Sequence, residues 1–291
     1  MATLSPNTMV YHVAMRILEP GFDLERFFVA LVRAKTRALL LDYDGTLAPF
    51  RIERDQATPY PGVRKLLTSI QQAGHSRLVV VSGRALADLE PLLGLDPSPE
   101  LWGAHGWERQ LPGGARQLVA LEPAAARGLE EAQALALASG LAERCERKPT
   151  SLALHWRGLP APEAEELRAW AQRNWGLPAQ RAGLVAHDFD GGIELRAPGR
   201  DKGHAVRTIL GELGEAAVVA YLGDDRTDED AFAAIKGRGL AALVRAELRP
   251  TLADILLRPP DELLAFLRHW HETCLEPRTE SQEPPGSFSA S

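Results

Sequence analysis

The chain has 291 residues, which at roughly 150 residues per domain is enough for two compact units. Lys and Arg number 33 against 39 Asp and Glu, so the formal charge of -6 leaves no basic surplus for nucleic-acid binding. The sequence has no membrane-length apolar run and no signal-peptide pattern, and its two cysteines are too few for a disulfide framework or a structural zinc site. We therefore expect a cytoplasmic protein without nucleic-acid or membrane partners, and favour a monomer.

The two ends of the chain differ from its middle. Residues 1–35 are predicted to be an N-terminal extension, in which 23–35 has the pattern of an amphipathic helix capped by Asp23. Residues 276–291 are polar and rich in Pro and Ser, and cannot bury enough surface to offset their ordering entropy. This last segment is predicted to be a disordered tail.

Three short apolar runs between the ends stop abruptly at polar or glycine residues. They precede Asp42, Ser82 and Gly223. Continuous apolar runs of this length are typical of strands covered on both faces, and therefore predict an α/β fold with a parallel sheet flanked by helices. One such helix is predicted over 61–73, ending at Gly74. Ligands bind beyond the carboxyl ends of parallel strands, so we expect a site where these runs end.

The middle of the chain has a different pattern. Residues 113–195 are predicted to form an inserted α/β cap domain between two halves of one core, 36–112 and 196–272. The predicted elements of the insertion are helices over 122–147 and 162–175, a half-exposed strand over 151–157, and a hairpin whose turn contains Asp190, Gly191 and Gly192.

Two acidic clusters follow the first and the last of the three runs. Carboxylates that meet at neighbouring strand ends remain ionised only when a cation neutralises them. Oxygen ligands without His or Cys nearby favour a hard ion, Mg²⁺. The candidate metal ligands are Asp42, Asp44, Asp224, Asp225 and Asp228.

Each acidic cluster has a structural alternative. The first could be an Asx-type turn that caps the next element. The second could be the acidic first turn of a helix, which accounts for Glu229 and Asp230 but poorly for Asp224 and Asp225 at a buried strand end.

The residues after the second run could bind a phosphate. Ser82 and Gly83 offer a hydroxyl and backbone N–H groups, Arg84 a forked donor, and Lys202 a point charge at the start of a predicted helix. The alternative for Lys202 is a solvated surface lysine. Because carboxylate-bound Mg²⁺ commonly also holds a phosphate, the two sets of residues together predict phosphoryl chemistry.

These residues resemble a known superfamily. DYDGT at 42–46, Ser82, Lys202 and GDD at 223–225 stand in the order and spacing of the four motifs of haloacid-dehalogenase (HAD) phosphatases. The resemblance covers about 38–270. It implies a Rossmann-like core with an inserted cap that recognises the substrate.

Within that superfamily the sequence is similar to the trehalose-6-phosphate phosphatases. The similar segments are LDYDGTL at 41–47, VSGR at 81–84, GAHG at 103–106 and GDDRTDEDAF at 223–232. The last is the most specific, because its TDEDAF continuation is not general to the superfamily. His105, within the third segment, is interpreted as structural and satisfied by backbone groups.

The resemblance implies a mechanism. Asp42 would attack phosphorus and form an aspartyl-phosphate, and Asp44 would act first as general acid on the leaving oxygen and then as base for water. Mg²⁺ would be held by the Asp42 carboxylate, the backbone carbonyl of Asp44 and Asp224, with Asp225 or Asp228 in support. Ser82 and Lys202 would hold the phosphoryl oxygens.

The resemblance also implies a substrate. Glu146, Lys148 and Glu194 correspond to the family's positions that bind the distal glucose, and Trp156 stands where the family usually has Tyr. The implied reaction is Mg²⁺-dependent hydrolysis of trehalose 6-phosphate to trehalose and phosphate, a step of trehalose biosynthesis. Each of the three residues taken alone reads as a solvated charge on the cap surface.

Three alternatives remain open. The same chemistry could act on another glycosyl phosphate, such as sucrose 6-phosphate or a glucosyl- or mannosyl-3-phosphoglycerate. A non-catalytic regulator that binds phosphosugars is disfavoured because Asp42, Asp44 and Lys202 are all present. A phosphomutase with the same nucleophile ranks last.

Overall fold

A computed structural model describes residues 15–189 and 191–277. The expected disordered tail lies outside the described residues from 278 onward, as do residues 1–14 and Asp190 of the predicted hairpin turn. Within the described part of the chain, no helix has the length and apolar character needed to cross a bilayer. Cys145 and Cys274 are both free thiols.

The larger of two sheets has nine strands. Its six inner strands run parallel, whereas one strand at one edge and two strands at the other pair antiparallel. The predicted parallel sheet is thereby confirmed. In spatial order the strands are β1 (Arg16–Ile17), β13 (Ile255–Leu257), β12 (Gly239–Val244), β11 (Val218–Gly223), β2 (Arg37–Asp42), β3 (Arg77–Val81), β4 (Glu100–Gly103), β5 (Glu108–Gln110) and β6 (Arg116–Leu118).

Helices cover both faces of this sheet, and each face has its own buried cluster of apolar side chains. β2 and β11 are buried along their whole length because they are covered on both sides. The helices on the first face are α1 (Leu24–Arg33), α2 (Val63–Ala73), α3 (Leu86–Leu93) and α8 (Asp261–Leu275), and those on the second are α6 (Lys202–Leu213) and α7 (Glu229–Ile235). We call this sheet with its helices the core.

The helix predicted near the N-terminus forms as α1. Its N-cap is Asp23, whose Oδ1 accepts the backbone N–H of Arg26 at 2.8 Å. Phe27 is fully buried, and its ring centroid lies 6.3 Å from that of Trp270 in α8. The described part of the expected N-terminal extension therefore packs into the core, where it contributes to the same apolar cluster as α8.

The smaller sheet has four antiparallel strands in the order β7 (Cys145–Lys148), β8 (Ser151–His155), β10 (Gly192–Arg196) and β9 (Val185–Phe189). It packs with α4 (Pro123–Ala138) and α5 (Ala161–Ala182) around its own apolar cluster, and we call this unit the cap. The predicted hairpin is confirmed, since Gly192 of β10 pairs with Phe189 of β9. β6 pairs with the larger sheet although it follows residue 113, where the cap was expected to begin.

Three predictions for the cap are corrected. The helix predicted over 122–147 ends at Ala138, because Gly140 turns the chain with a φ of +74°, and residues 145–148 then form β7. The strand predicted to be half-exposed is buried from Ser151 to Leu154, because it is an inner strand that α4 also packs against. The helix predicted over 162–175 continues to Ala182 despite Pro178.

Candidate active site

The two acidic clusters meet because their strands are neighbours. β2 and β11 pair in parallel, with Leu41 opposite Leu222, so both strands end at the same edge of the sheet. Asp42, Asp224 and Asp228 are buried there, and each offers a carboxylate oxygen within 4.8 Å of the others. The prediction that the carboxylates converge is thus met for these three residues.

A glycine permits this close approach. Gly45 has a φ of +84°, and a Cβ at this position would lie 2.1 Å from Oδ2 of Asp224. A side chain at position 45 would therefore be disfavoured by the backbone conformation and would also occupy the place of the carboxylate.

Asp228 is fully buried and organises the loop around it. Its Oδ1 accepts hydrogen bonds from Nζ of Lys202 at 2.8 Å and from the hydroxyl of Tyr221 at 2.6 Å. Its Oδ2 accepts the backbone N–H groups of Asp224 and Asp225 at 3.1 and 3.0 Å. Four donors therefore fix this carboxylate, which links Lys202 to the loop.

Asp225 has a different role from its neighbour. It is the N-cap of a short 3₁₀ turn, Arg226–Asp228, and its Oδ1 accepts the backbone N–H of Arg226 at 2.8 Å. Glu229 and Asp230 lie in the first turn of α7, as the helix-turn alternative predicted for them. That alternative therefore covers these two residues but leaves Asp224 unexplained.

Lys202 begins α6 and points at the end of β2. Its Nζ lies 2.5 Å from Oδ1 of Asp42, whose other oxygen accepts the hydroxyl of Thr46 at 3.2 Å. Only 4% of the Lys202 side chain is exposed, so the alternative of a solvated surface lysine is wrong. Burial raises the pKa of Asp42 to about 7, helped by the charge of Asp228 and opposed by Lys202.

Asp224 has the properties of a metal ligand. Both of its carboxylate oxygens are buried, and neither has a hydrogen-bond partner in the described part of the chain. Burial and the charges of Asp42 and Asp228 raise its pKa well above the usual range of an aspartate. A buried carboxylate without donors, beside two others, is costly unless a cation compensates it. These residues therefore fit a hard divalent cation such as Mg²⁺.

Asp44 and Arg84 form a bidentate pair. Nε and Nη2 of Arg84 donate to the two carboxylate oxygens of Asp44 at 2.7 and 2.6 Å. The backbone N–H of Arg84 also donates to Oγ of the buried Ser82 at 3.1 Å. The guanidinium predicted to bind phosphate is therefore engaged with the predicted general acid.

His105 connects the phosphate segment to the cap. Ala104 and His105 have left-handed backbone conformations, with φ of 48° and 55°, an arrangement that non-glycine residues adopt rarely and often at functional sites. The backbone N–H of His105 donates to the carbonyl of Ser82 at 3.0 Å, and a Cβ on Gly83 would lie 2.5 Å from the imidazole ring. Its Nε2 is 3.1 Å from Oε2 of Glu194, so the ring is not satisfied by backbone groups as expected.

Glu194 is buried on β10 and surrounded by donors. Oε1 accepts from Nζ of Lys148 at 2.9 Å and from Oγ of Ser151 at 2.7 Å. Oε2 accepts from Nε of Arg196 at 2.7 Å, in addition to its contact with His105. Burial alone would raise the pKa of Glu194, but Arg196 and Lys148 outweigh it and hold that pKa well below its usual range.

Glu146 lies on β7 at the rim of the same site. Its Oε2 contacts Nη1 of Arg54 and lies 3.0 Å from Nε2 of His155 and 3.7 Å from Nζ of Lys148. The exposed fractions of the Glu146, Lys148 and Glu194 side chains are 20, 13 and 2%, so the three are not solvated charges on the cap surface. Burial, helped by Arg54 and Lys148, lowers the pKa of His155 to about 3.

One cavity joins these two groups of residues. Its lining includes, from the core, Asp42, Asp44, Ser82, Lys202 and Asp224, and, from the cap, Glu146, Lys148 and Glu194. A phosphate near Asp42 and a sugar near the cap carboxylates would thus share one enclosure. This arrangement suits a phosphorylated sugar better than either group alone would.

Several residues of this site were not predicted from the sequence, and Arg54, His105, Arg196 and Tyr221 are four of them. Arg196 and Tyr221 lie two residues from Glu194 and Gly223 on the same strands, so strand alternation places them on the same faces and could have found them. His105 was noticed but interpreted as structural. No sequence pattern marked Arg54 as a site residue, because an arginine in a loop between a strand and a helix is common.

Comparison with known proteins agrees with this geometry. The family model described as trehalose-phosphatase matches residues 40–251, most of the chain. The chain belongs to the trehalose-phosphatase family. It is 33% identical over 243 residues to a trehalose-phosphate phosphatase of Mycobacterium marinum, an alignment that covers 79% of this chain and only 60% of that longer protein.

Solved structures related to this family member show its fold class. The C-terminal domain of Candida albicans trehalose-6-phosphate phosphatase superposes with a TM-score of 0.75 at 20% identity, covering 88% of this chain and 99% of that one. A HAD-superfamily phosphatase from Bacteroides thetaiotaomicron superposes with a TM-score of 0.55 at 16% identity, covering 81 and 95%. The predicted HAD fold, a parallel α/β sheet with an added cap-like unit, is confirmed.

Proposed function

We propose that this family member is a phosphoric monoester hydrolase that converts trehalose 6-phosphate to trehalose and phosphate. The observation that carries the proposal is the shared cavity, in which the Lys202-bound Asp42 of the core lies in the same enclosure as Glu146, Lys148 and Glu194 of the cap. The core residues supply phosphoryl chemistry, and the cap residues supply carboxylates and a cation for sugar hydroxyls.

In the proposed reaction Asp42 is the nucleophile. Its carboxylate oxygen forms a bond to phosphorus while the bond from phosphorus to the sugar oxygen breaks, which gives an aspartyl-phosphate. Lys202 offsets the charge on the transferring phosphoryl oxygens, and Ser82 donates its hydroxyl to one of them. Thr46 and Lys202 together keep the Asp42 carboxylate in one orientation, because they donate to its two oxygens.

Asp44 is the general acid and the general base of the proposed reaction. As general acid it gives a proton to the leaving sugar oxygen, and as general base it then takes one from the water that attacks phosphorus. That attack releases inorganic phosphate and regenerates Asp42. Arg84 donates to both oxygens of Asp44, which is the arrangement of the ionised carboxylate, so one of these two bonds has to break before Asp44 carries the proton that it gives to the leaving oxygen.

Mg²⁺ would be held by the Asp42 carboxylate, the backbone carbonyl of Asp44 and Asp224, with Asp228 behind them. When bound, it would neutralise the clustered carboxylates and the incoming phosphate. The donor-free oxygens of Asp224 support this assignment, whereas the capping bond of Asp225 makes Asp225 the weaker candidate.

The test is phosphate release from trehalose 6-phosphate with Mg²⁺, beside glucose 6-phosphate, sucrose 6-phosphate and glucosyl-3-phosphoglycerate. Asp42→Asn removes the nucleophile, and the exposed Asp261→Asn at the start of α8 is the matched control. We expect a strong preference for trehalose 6-phosphate that is lost in Asp42→Asn and kept in Asp261→Asn.

Other outcomes would overturn parts of the proposal. A preference for another ester, lost in Asp42→Asn, would retain the chemistry and reject the substrate. Phosphate that moves between positions of one sugar would indicate a phosphomutase. No release from any of the esters by folded, Mg²⁺-loaded protein would favour a regulator that binds phosphosugars.

A further inference from the structure

In one segment of the core, every second residue contacts the cap. The ring centroid of Phe50 lies 4.3 Å from the guanidinium carbon of Arg157, which follows β8. Cδ1 of Ile52 lies 3.5 Å from where a Cβ on Gly158 would be, and Arg54 contacts Glu146 of β7. Residues 50–54 therefore form a seam between core and cap, beyond the residues that the chemistry uses.

Arg54 is the charged end of this seam. It begins a 3₁₀ turn, Arg54–Gln56, between β2 and α2, and its Nη1 contacts Oε2 of Glu146 and lies 3.4 Å from Nε2 of His155. Oε2 of Glu146 can only accept, so the Nε2–H tautomer of His155 donates to it, and the guanidinium of Arg54 donates to the same oxygen. Two donors, one from the cap and one from the core, therefore fix Oε2 of Glu146, and Oε1 has no hydrogen bond to the described residues, so it can accept from another partner.

The second cap carboxylate is also held from the core, since His105 contacts Oε2 of Glu194. Each of the two carboxylates in the sugar part of the cavity thus has one partner from the core in addition to its partners within the cap. Separation of cap and core would remove both core partners at once. Three cap donors would still hold Glu194. Among the described residues, Glu146 would keep only His155 and the longer contact with Lys148, so the orientation of Glu146 is the one that depends on closure.

We propose that Arg54 is a positioning residue for the sugar that lies beyond the phosphate, orienting Glu146 from the core so that the carboxylate presents its free oxygen to a hydroxyl only when the cap is closed. The proposal rests on the function proposed above. A half-exposed ion pair alone contributes little to stability, so the effect of Arg54 belongs to binding and orientation rather than to folding.

The experiment compares a sugar phosphate with an ester that has no sugar. Wild type, Arg54→Ala and Arg54→Lys are assayed for kcat and KM on trehalose 6-phosphate and on p-nitrophenyl phosphate. Arg116→Ala is the matched control, because Arg116 also forms a half-exposed pair with a glutamate, Glu90, at 2.6 Å but outside the cavity. Melting temperatures confirm that all variants are folded.

For Arg54→Ala we expect KM for trehalose 6-phosphate to rise about tenfold, the effect of one charge-assisted hydrogen bond, with kcat within about twofold. Activity on p-nitrophenyl phosphate should remain within about twofold, since that ester does not reach Glu146. Arg54→Lys should recover part of the loss, because it retains the charge without the forked geometry. In a double variant with Glu146→Gln, the two losses should not add.

An equal loss on both esters, or no change on trehalose 6-phosphate, would overturn the proposal for Arg54. If wild type prefers another sugar phosphate, the proposed substrate is rejected. The change in KM that Arg54→Ala causes on that ester, compared with its effect on p-nitrophenyl phosphate, then decides the role of Arg54. If wild type favours no sugar phosphate over p-nitrophenyl phosphate, both proposals fall.

Discussion

Asp224 places a carboxylate oxygen where a methyl group on Gly45 would have to be, only 2.1 Å from that ideal Cβ position. The two residues follow strands β2 and β11, whose carboxyl ends are adjacent in the sheet. The glycine of the first motif thus makes room for the aspartate side chain of the last motif. The Asp224 carboxylate can join the acidic cluster only because residue 45 has no side chain.

Gly45→Ala should therefore abolish phosphatase activity and destabilise the protein by about 2 kcal/mol or more, through strain at positive φ and a displaced carboxylate. Urea unfolding and phosphate release measure the two effects. Gly113→Ala is the control, since Gly113 has a φ of +94° but, among the described residues other than its two chain neighbours, no atom lies within 4 Å of its Cβ position. If Gly45→Ala behaves like Gly113→Ala, the close approach to Asp224 has no functional role.

Asp224→Asn tests the metal site without an activity assay. The change removes one of three buried carboxylates, so the variant without metal should melt about 3 °C or more above the wild type without metal. Wild type should gain stability when Mg²⁺ is added, and the variant should not. Thermal melts with EDTA and with MgCl₂ measure both effects, with Asp261→Asn as the exposed control. An equal Mg²⁺ response in both proteins would place the metal elsewhere.

His155 predicts a dependence of stability on pH. Its pKa in the folded protein is about 3, below the 6.5 of an unperturbed histidine, because burial and then the charges of Arg54 and Lys148 oppose protonation. The unfolded chain therefore binds more protons between these values, and the stability due to neutral His155 is complete above pH 6.5 and lost as pH falls toward 3.

Between pH 6.5 and 5 the free energy of unfolding of the wild type should therefore fall by on the order of 1 kcal/mol more than that of His155→Gln. Urea unfolding at several pH values measures the difference. The exposed His75→Gln should follow the wild type. Parallel curves for wild type and His155→Gln would contradict the assignment of a neutral, buried imidazole.

The two cap glutamates should differ in their effect on folding. Glu194 is buried with four donors, so Glu194→Gln leaves buried cations without a counter-charge and should cost about 3 kcal/mol of stability. Glu146 lies at the rim, and Glu146→Gln should cost less than about 1 kcal/mol. Both should weaken binding of the sugar phosphate. Equal stability of the two variants would mean that the network around Glu194 does not support the fold.

The pattern of apolar residues sufficed to predict the core. Strands β2, β3 and β11 are buried on both faces, and this leaves continuous apolar runs that are easily recognised. The cap was harder to predict, because β7 is a half-buried strand of mixed charge that directly follows an Ala-rich helix. No apolar alternation separates the two elements, so the predicted helix ran on through Glu146.

The positions of the site residues were predictable, but several of their partners were not. Strand ends brought Asp42 and Asp224 together as expected. The pairing of Arg84 with Asp44, and of Arg54 with Glu146, depends on loop conformations that no periodicity encodes. These contacts follow from how loops fold back over the sheet, which is information held by tertiary packing.

The neighbouring positions of β2 and β11 have a consequence for biosynthesis. The ribosome makes β2 before the cap, whereas its partner strand and Asp224 follow only after the whole cap has been synthesised. β2 is apolar apart from its two end residues, and until β11 has been made one of its edges has no strand to pair with. The emerging chain can therefore pair wrongly at this edge. Folding of the core is therefore expected to be a late event in translation, and the cap, whose elements are consecutive in the chain, can become ordered first.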